Sequence, residues 1–311
     1  MSTRRHFIKT TSFAGISPFV INPFSFSGSS KPLRASLNPS SVVLKCDAQE
    51  LLDYAISYDF SAISPPLNEL LKLKPNEKKA YLKKMLSNEI VFDSGGLPVE
   101  FRSSEEVFQQ GLKTLQQNIK AIASFNILSL VTWIMPTHDS LTYNKNFELH
   151  RVRLGKIASV LSYEGVQLGL EYVGPKTLMV TNKYPFLHSI SELRELINAI
   201  DKDNIGYLLD SFHTYCAGDQ IEDMNFLNVK DIISVQINDA VVNRTADTQI
   251  DWERELPGET GIIDLKKFLD FIRSKGYEGA VSVEPFNENI NLMEAPTKLK
   301  KIRASLLKHG I

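Results

Sequence analysis

Asn204-Ile205-Gly206-Tyr207-Leu208-Leu209-Asp210-Ser211-Phe212-His213 decides how the rest of the chain is read. A short apolar run stops at an aspartate, and a histidine follows three residues later. Working outward in both directions, one rhythm recurs: a short apolar run, a loop, then an amphipathic segment with a helical period. The runs fall near 34–37, 60–64, 90–93, 127–134, 166–172, 205–210, 232–237 and 280–284. Between them lie helix candidates at 48–58, 105–123, 147–163, 191–200 and 265–275, the fourth with Ser191 placed as an N-cap. Strands that alternate with helices argue a parallel sheet. Eight of them in about 270 residues argue a single closed (β/α)8 TIM barrel, although a length of 311 residues would also admit two domains.

Composition sets the outer limits. Hydrophobic residues are 43% and charged residues 23%, ordinary globular usage that excludes a wholly disordered or collagen-like chain. Lys+Arg 35 against Asp+Glu 36 gives a formal net charge of −1, so no bulk field points to nucleic acid as a partner. Cys46 and Cys216 make neither a disulfide framework nor a cysteine-based zinc site and read as small core residues. No apolar run reaches the ~18 residues of a membrane-spanning helix. The start of the chain is a different material. Ser2-Thr3-Arg4-Arg5-His6-Phe7-Ile8-Lys9 is basic with adjacent arginines, Thr10 to Phe26 carries no charge, and Ser27 to Pro39 is rich in Ser, Pro and Gly. This resembles a twin-arginine export signal, a receptor-read address rather than an anchor, and predicts export to the periplasm. The expected organisation is a signal and linker at 1–33 and the barrel at 34–311.

Chemistry in such a barrel sits at the C-terminal ends of the strands. The last four runs all end in polar groups. Val166–Tyr172 carries Glu171, 205–210 ends in Asp210 with His213 beyond it, 232–237 carries Gln236 and runs into Asn238-Asp239, and 280–284 ends in Glu284 before Pro285. Carboxylates are costly where buried strands stop unless they are paired or bind metal. Four polar ends converging on one barrel mouth suggest a divalent-metal site of hard oxygen ligands.

Here the chain resembles the xylose-isomerase-like barrel superfamily of sugar isomerases and epimerases, including members described as sugar phosphate isomerase/epimerase. The stretches that carry the likeness are 168–175, 206–213, 235–240, 256–259 and 276–284, with 96–102 and 132–136 in support, over roughly residues 40–305. The resemblance implies that Glu171, Asp210 and Glu284 hold one divalent ion with a fourth ligand from the seventh strand. The well-known epimerases have histidine at that fourth position, and this chain has Gln236. A neutral amide oxygen suits a hard cation better than a soft one, which favours Mn2+ or Mg2+ and leaves Co2+ and Zn2+ open. The same departure leaves open a weakened or absent metal site. By resemblance Glu171 and Glu284 are also the acid–base pair that removes and returns a proton through an enediolate of a sugar or keto sugar. His213, Arg254, Trp133 and Asp239 are the expected substrate-binding residues, and the partner is a small sugar. Association into a homo-oligomer is left open.

Each of these residues has a plainer reading. Gln236 could cap its strand, Asn238-Asp239 could shape a turn, and Arg254 lies among Asp251, Glu253 and Glu255, as on a solvated surface. His138 and His150 read as loop and helix surface, and the Lys-rich stretches 72–84 and 298–308 as polar helix faces. Three further functions compete. A sugar-binding barrel without chemistry fits Gln236 but not the intact Glu pair. A lyase or hydrolase of keto glycosides would use the same enediolate with a leaving group on the β-carbon. A metal-dependent endonuclease at abasic sites shares pieces of 210–218 and 236–239, but its several histidines are missing here, with only His6 before His138.

Overall fold

The computed structural model describes residues 32–311. The basic start and apolar stretch behind the export expectation lie outside the described residues. The strands are β1 (Arg34–Leu37), β2 (Ala62–Ile63), β3 in two pieces (Val91–Phe92 and Gly95–Gly96), β4 (Ser129–Ile134), β5 (Gln167–Tyr172), β6 (Ile205–Asp210), β7 (Ile232–Ile237) and β8 (Ala280–Val283). The first piece of β3 pairs with β2 and the second with β4, so a nearly closed parallel sheet wraps round with one segment at both of its ends. The expected TIM barrel is observed, with its parallel sheet nearly closed rather than closed. The run near 90–93 continues as far as Gly96, interrupted at Asp93 and Ser94 where the pairing passes from one neighbour to the other.

A helix follows each strand: α1 (Ala48–Ser57), α2 (Pro75–Ser87), α3 (Glu105–Ala123), α4 (Tyr143–Ser162), α5 (Ile190–Ile200), α6 (Ser211–Ala217), α7 (Leu265–Ser274) and α8 (Ala295–Leu307). In α3, Phe108, Leu112, Leu115, Ile119 and Ile122 recur at spacings of three and four and bury one face against the sheet. The cap of α5 falls on Ser189, two residues before Ser191, and no side chain caps the first turn. Instead the Ser189 hydroxyl donates to Glu192 Oε2 at 2.9 Å.

Two features shape the barrel interior. A register shift between Ile232 and Ser234 bulges β7 at Ile233. A Cβ added to Gly169 would meet Ile233 Cβ at 3.1 Å, and one added to Gly206 would meet Ile233 Cγ1 at 2.8 Å. The two glycines therefore make room for Ile233, which closes the bottom of the lumen. At the other end, Lys298 of α8 is buried, not part of a polar face, and its Nζ donates to the carbonyls of Val42, Val43 and Asn291 at 2.8, 3.0 and 3.1 Å. It ties the loop after β1 to the segment after β8.

His150, expected on a helix surface, is instead buried in α4. Its Nδ1 lies 2.8 Å from the Asn146 carbonyl, and its ring packs on Phe101 and Phe186. Burial, the largest cause, pushes its pKa down to about 4 from 6.5. The folded state thus prefers the neutral ring, and stability present above pH 6.5 is lost as pH falls toward 4. The expected cost between pH 8 and pH 5 is about 2 kcal/mol. Urea denaturation of His150→Leu should show that much less pH dependence than the parent; equal slopes would refute it.

Candidate active site

The strand ends converge as the sequence requires. The register pairs Trp133 with Glu171 across β4 and β5, Gln236 with Asp210 across β7 and β6, and Gln236 with Ser282 across β7 and β8. Paired residues of parallel strands share a face, so these side chains enter one lumen, with Glu284 two residues beyond Ser282 on the same face. They open onto a cavity of about 1010 Å3 lined by Glu171, Gln236, Glu284, Trp133 and Arg102 among others.

Asp210 is the most firmly placed. Its Oδ1 accepts from the backbone N–H of Phe212 at 2.6 Å and of His213 at 3.3 Å, capping α6. Its Oδ2 accepts from Asn238 Nδ2 at 2.9 Å and from Arg254 Nη1 at 3.1 Å. Asn238 also accepts the Glu284 backbone N–H at 2.7 Å, so one amide holds both β6 and β8 to the site.

Arg254 is no surface residue. It is 1% exposed and reaches Asp210, Asp251 Oδ1 at 2.7 Å, Glu284 Oε2 at 3.3 Å and His213 Nε2 at 3.4 Å. Burial alone would lower its pKa, but the carboxylates of Asp210, Asp251 and Glu284 raise it. Its donors are thus directed to protein carboxylates rather than to substrate. His213 is buried too. The Gly174 N–H donates to its Nδ1 at 3.3 Å, and its Nε2 lies between Arg254 Nη2 at 3.4 Å and Glu171 Oε1 at 3.6 Å. Burial first, then Arg254, holds its pKa down at about 4.

The two glutamates are unsettled by comparison. Burial, then Glu284 and Asp210, raises Glu171 well above the carboxylate range. Burial, reinforced by Asp210 and Asp251 and opposed by Arg254, pushes Glu284 up to about 7. Ser41 donates to Glu284 Oε1 at 3.4 Å, but Glu171 Oε1 is buried with no hydrogen-bond partner.

The donor set fits a divalent cation. Ligand atoms of Glu171, Asp210 and His213 lie within 4.8 Å of one another. Four carboxyl groups, on Glu171, Asp210, Asp251 and Glu284, crowd the guanidinium of Arg254, and all four could ionise together only with further positive charge such as a dication among them. The Gln236 amide lies against Asp210 Oδ2 and Glu284 Oε2. With its nitrogen toward them it donates at 3.2 and 3.1 Å, and with its oxygen toward them three oxygens meet and need a cation between.

Asp239, expected at the substrate, is turned away from it. It is 0% exposed, and its carboxylate accepts the backbone N–H groups of Thr260 and Gly261 at 3.0 and 2.7 Å and of Ile263 and Ala240 at 3.1 and 2.9 Å. It shapes the loop after β7, as the turn reading of Asn238-Asp239 allowed. Trp133 stands at the cavity, 47% exposed, with the Arg102 guanidinium 4.0 Å from its ring. Sequence reasoning passed over Asn238 as an orienting group, read Asp251 only as part of a solvated acidic surface around Arg254, and passed over Ser41 and Arg102 as site residues. Arg102 carried a signal as the last residue of the supporting stretch 96–102.

Residues 52–309 match the xylose isomerase-like TIM barrel family. The chain belongs to that family. The inosose isomerase of Halalkalibacterium halodurans is 29% identical over 151 residues, 47% of this chain and 49% of that protein. The 3-dehydroshikimate dehydratase of Pseudomonas aeruginosa is 32% identical over 111 residues, 35% of this chain and 17% of that protein. The chain thus spans half the length or less of these curated relatives. Among solved structures, the IOLI protein with a binding zinc atom superposes with a TM-score of 0.74 at 19% identity, over 89% of this chain and 97% of that one, a likeness of fold.

Proposed function

We propose that this family member is a divalent-metal-dependent isomerase or epimerase of a keto sugar that moves a proton with Glu171 and Glu284. The observation that carries this reading is that the Glu171 and Glu284 carboxyls line one cavity, the first with a buried oxygen that nothing among the described residues satisfies. They stand on β5 and after β8, three places apart in the ring of strands, and so approach a bound molecule from different sides. Glu171, Asp210 and Glu284 would hold the ion, with Gln236 or His213 completing the set. When bound, it supplies positive charge against the oxygen anion that develops as a proton leaves the neighbouring carbon. The remaining work belongs to the chain. A carboxyl held above its ordinary range can both take and return a proton, and burial raises both Glu171 and Glu284 in this way. Asn238 fixes the distance between the Asp210 carboxylate and the Glu284 backbone. Trp133, beside Glu171 in the ladder, offers an apolar face to a sugar ring.

The test is incorporation of solvent deuterium into D-tagatose or an inosose by protein of measured metal content. Stoichiometric metal with label at the carbon next to the carbonyl is expected; a metal-free protein, or no label in any keto compound, refutes the reading. The dehydratase relative favours a second one: the same proton removal followed by loss of a β-substituent. Release of water or an alcohol in the same assay identifies it.

Gln236 is the residue by which this site departs from the epimerases, and the departure favours Mn2+ or Mg2+ over zinc. Gln236→His should bind Zn2+ roughly 10–100-fold more tightly with little gain for Mg2+, read by competition with a chromogenic chelator; equal gains would sink the assignment. For residues 1–33 we propose export by the twin-arginine route, which carries folded proteins, so that the ion is chosen before the chain meets competing metals. A chain exported unfolded with the same metal content and activity would overturn this.

A further inference from the structure

The cavity runs deeper than the carboxylates that mark it. Two residues below Gln236 on β7 stands Ser234, two below Glu284 stands Ser282, and two below Asp210 stands Leu208, each about 6–7 Å down its strand. All three line the cavity, as do Asp93, Ser94 and Val131 from the opposite wall. In barrels of this kind that level is filled by bulky branched side chains. Here serine replaces them at 94, 234 and 282, and the bulged Ile233 closes the space from below. The result is a polar well beneath the site. Ser94 Oγ lies 2.8 Å from Ser129 Oγ, and the Asp93 carboxylate accepts the Ser94 N–H at 2.7 Å.

Among the described residues, the basic side chains that line the cavity are Lys45 and Arg102, and neither is bonded to Asp93, Ser94, Ser234 or Ser282. Of the basic residues lining the cavity, Lys45 stands exposed at the rim. Arg102 gives Nη1 to Glu100 at 3.3 Å and Nη2 to Thr132 Oγ1 at 2.8 Å and to the Trp133 carbonyl. Barrels that take phosphorylated substrates bind the phosphate on backbone N–H groups of the loops after strands 7 and 8. In this chain four such N–H groups already hold the Asp239 carboxylate.

We propose that the well of Asp93, Ser94, Ser234 and Ser282 is a subsite for an uncharged, hydroxylated arm of the substrate, so that the protein takes unphosphorylated keto compounds. Serine hydroxyls both donate and accept, which suits hydroxyl groups. An anionic arm would lose its hydration beside Asp93 with nothing to replace it. This rests on the reading above only in treating the cavity as the place of the keto substrate.

The experiment is equilibrium binding of D-tagatose, an inosose and D-tagatose 6-phosphate to the metal-loaded protein by saturation-transfer NMR. At least one uncharged probe should bind ten times or more as tightly as the phosphate ester. Ser282→Val, which puts methyl groups into the well, should weaken uncharged binding at least tenfold with metal content unchanged, and Ser234→Val serves if that variant does not fold. Asp93→Asn, equal in shape, should narrow the gap between the ester and its parent sugar. An ester that binds as tightly as the sugar, valine variants with undiminished affinity, or no binding of any probe overturns the proposal. Binding with this pattern but without deuterium uptake leaves the well and removes the proton-transfer reading; uptake that the valine variants leave untouched does the reverse.

Discussion

Glu171→Gln is expected to slow solvent-deuterium exchange into a keto substrate by about a thousandfold while raising the melting temperature of the metal-free protein. The two effects have one cause. Glu171 Oε1 is buried without a partner, and its carboxyl faces those of Asp210 and Glu284. Glu171 must take up a proton on folding at neutral pH, and an amide that has no such cost relieves about 1–3 kcal/mol, or a few degrees for a domain of this size. The amide keeps an oxygen for the cation but gives up the proton chemistry. A residue present for packing would show the opposite: lower stability and unchanged exchange. Exchange within threefold of the parent at saturating metal would remove Glu171 from the mechanism.

The architecture was legible because it rests on periodicity. Strands β6 to β8 are buried throughout, and each runs into a polar group at or just after its end, so their ends could be read directly. The site was legible to the extent that its members sit at those ends, as Glu171, Asp210 and Gln236 do, with Glu284 one residue beyond. What the sequence hid lies in loops. Arg254 is surrounded in sequence by acids, and the same pattern describes a solvated salt-bridge cluster or a guanidinium drawn into a carboxylate core. The fold decides for the second by bringing Asp210 and Glu284 to it from distant strands. Asp239 shows the converse: a conspicuous acid at a strand end whose carboxylate is consumed by the backbone of its own loop. His150 was misplaced because a helix position carries no mark of whether another element covers it; here Phe101 and Phe186 do.

Arg254→Met should destabilise the metal-free protein by about 3–5 kcal/mol, because it leaves buried carboxylates without their counter-charge. Asp210 Oδ2, 3.1 Å from Nη1, and Asp251 Oδ1, 2.7 Å from Nη2, lose their cation together. A surface arginine would cost a few tenths of that. Saturating Mn2+ is expected to recover most of the loss, since a dication placed among Glu171, Asp210 and Glu284 relieves the same repulsion that the guanidinium relieved. By linkage, a larger stabilisation by the ion is a tighter affinity for it. The variant should therefore unfold at lower urea than the parent in chelator, approach it in Mn2+, and bind Mn2+ more tightly, though without Arg254 to orient His213 it need not turn over. If the deficit is the same with and without the ion, Arg254 and the cation do not share an electrostatic site, and the carboxylates are held together by the guanidinium alone.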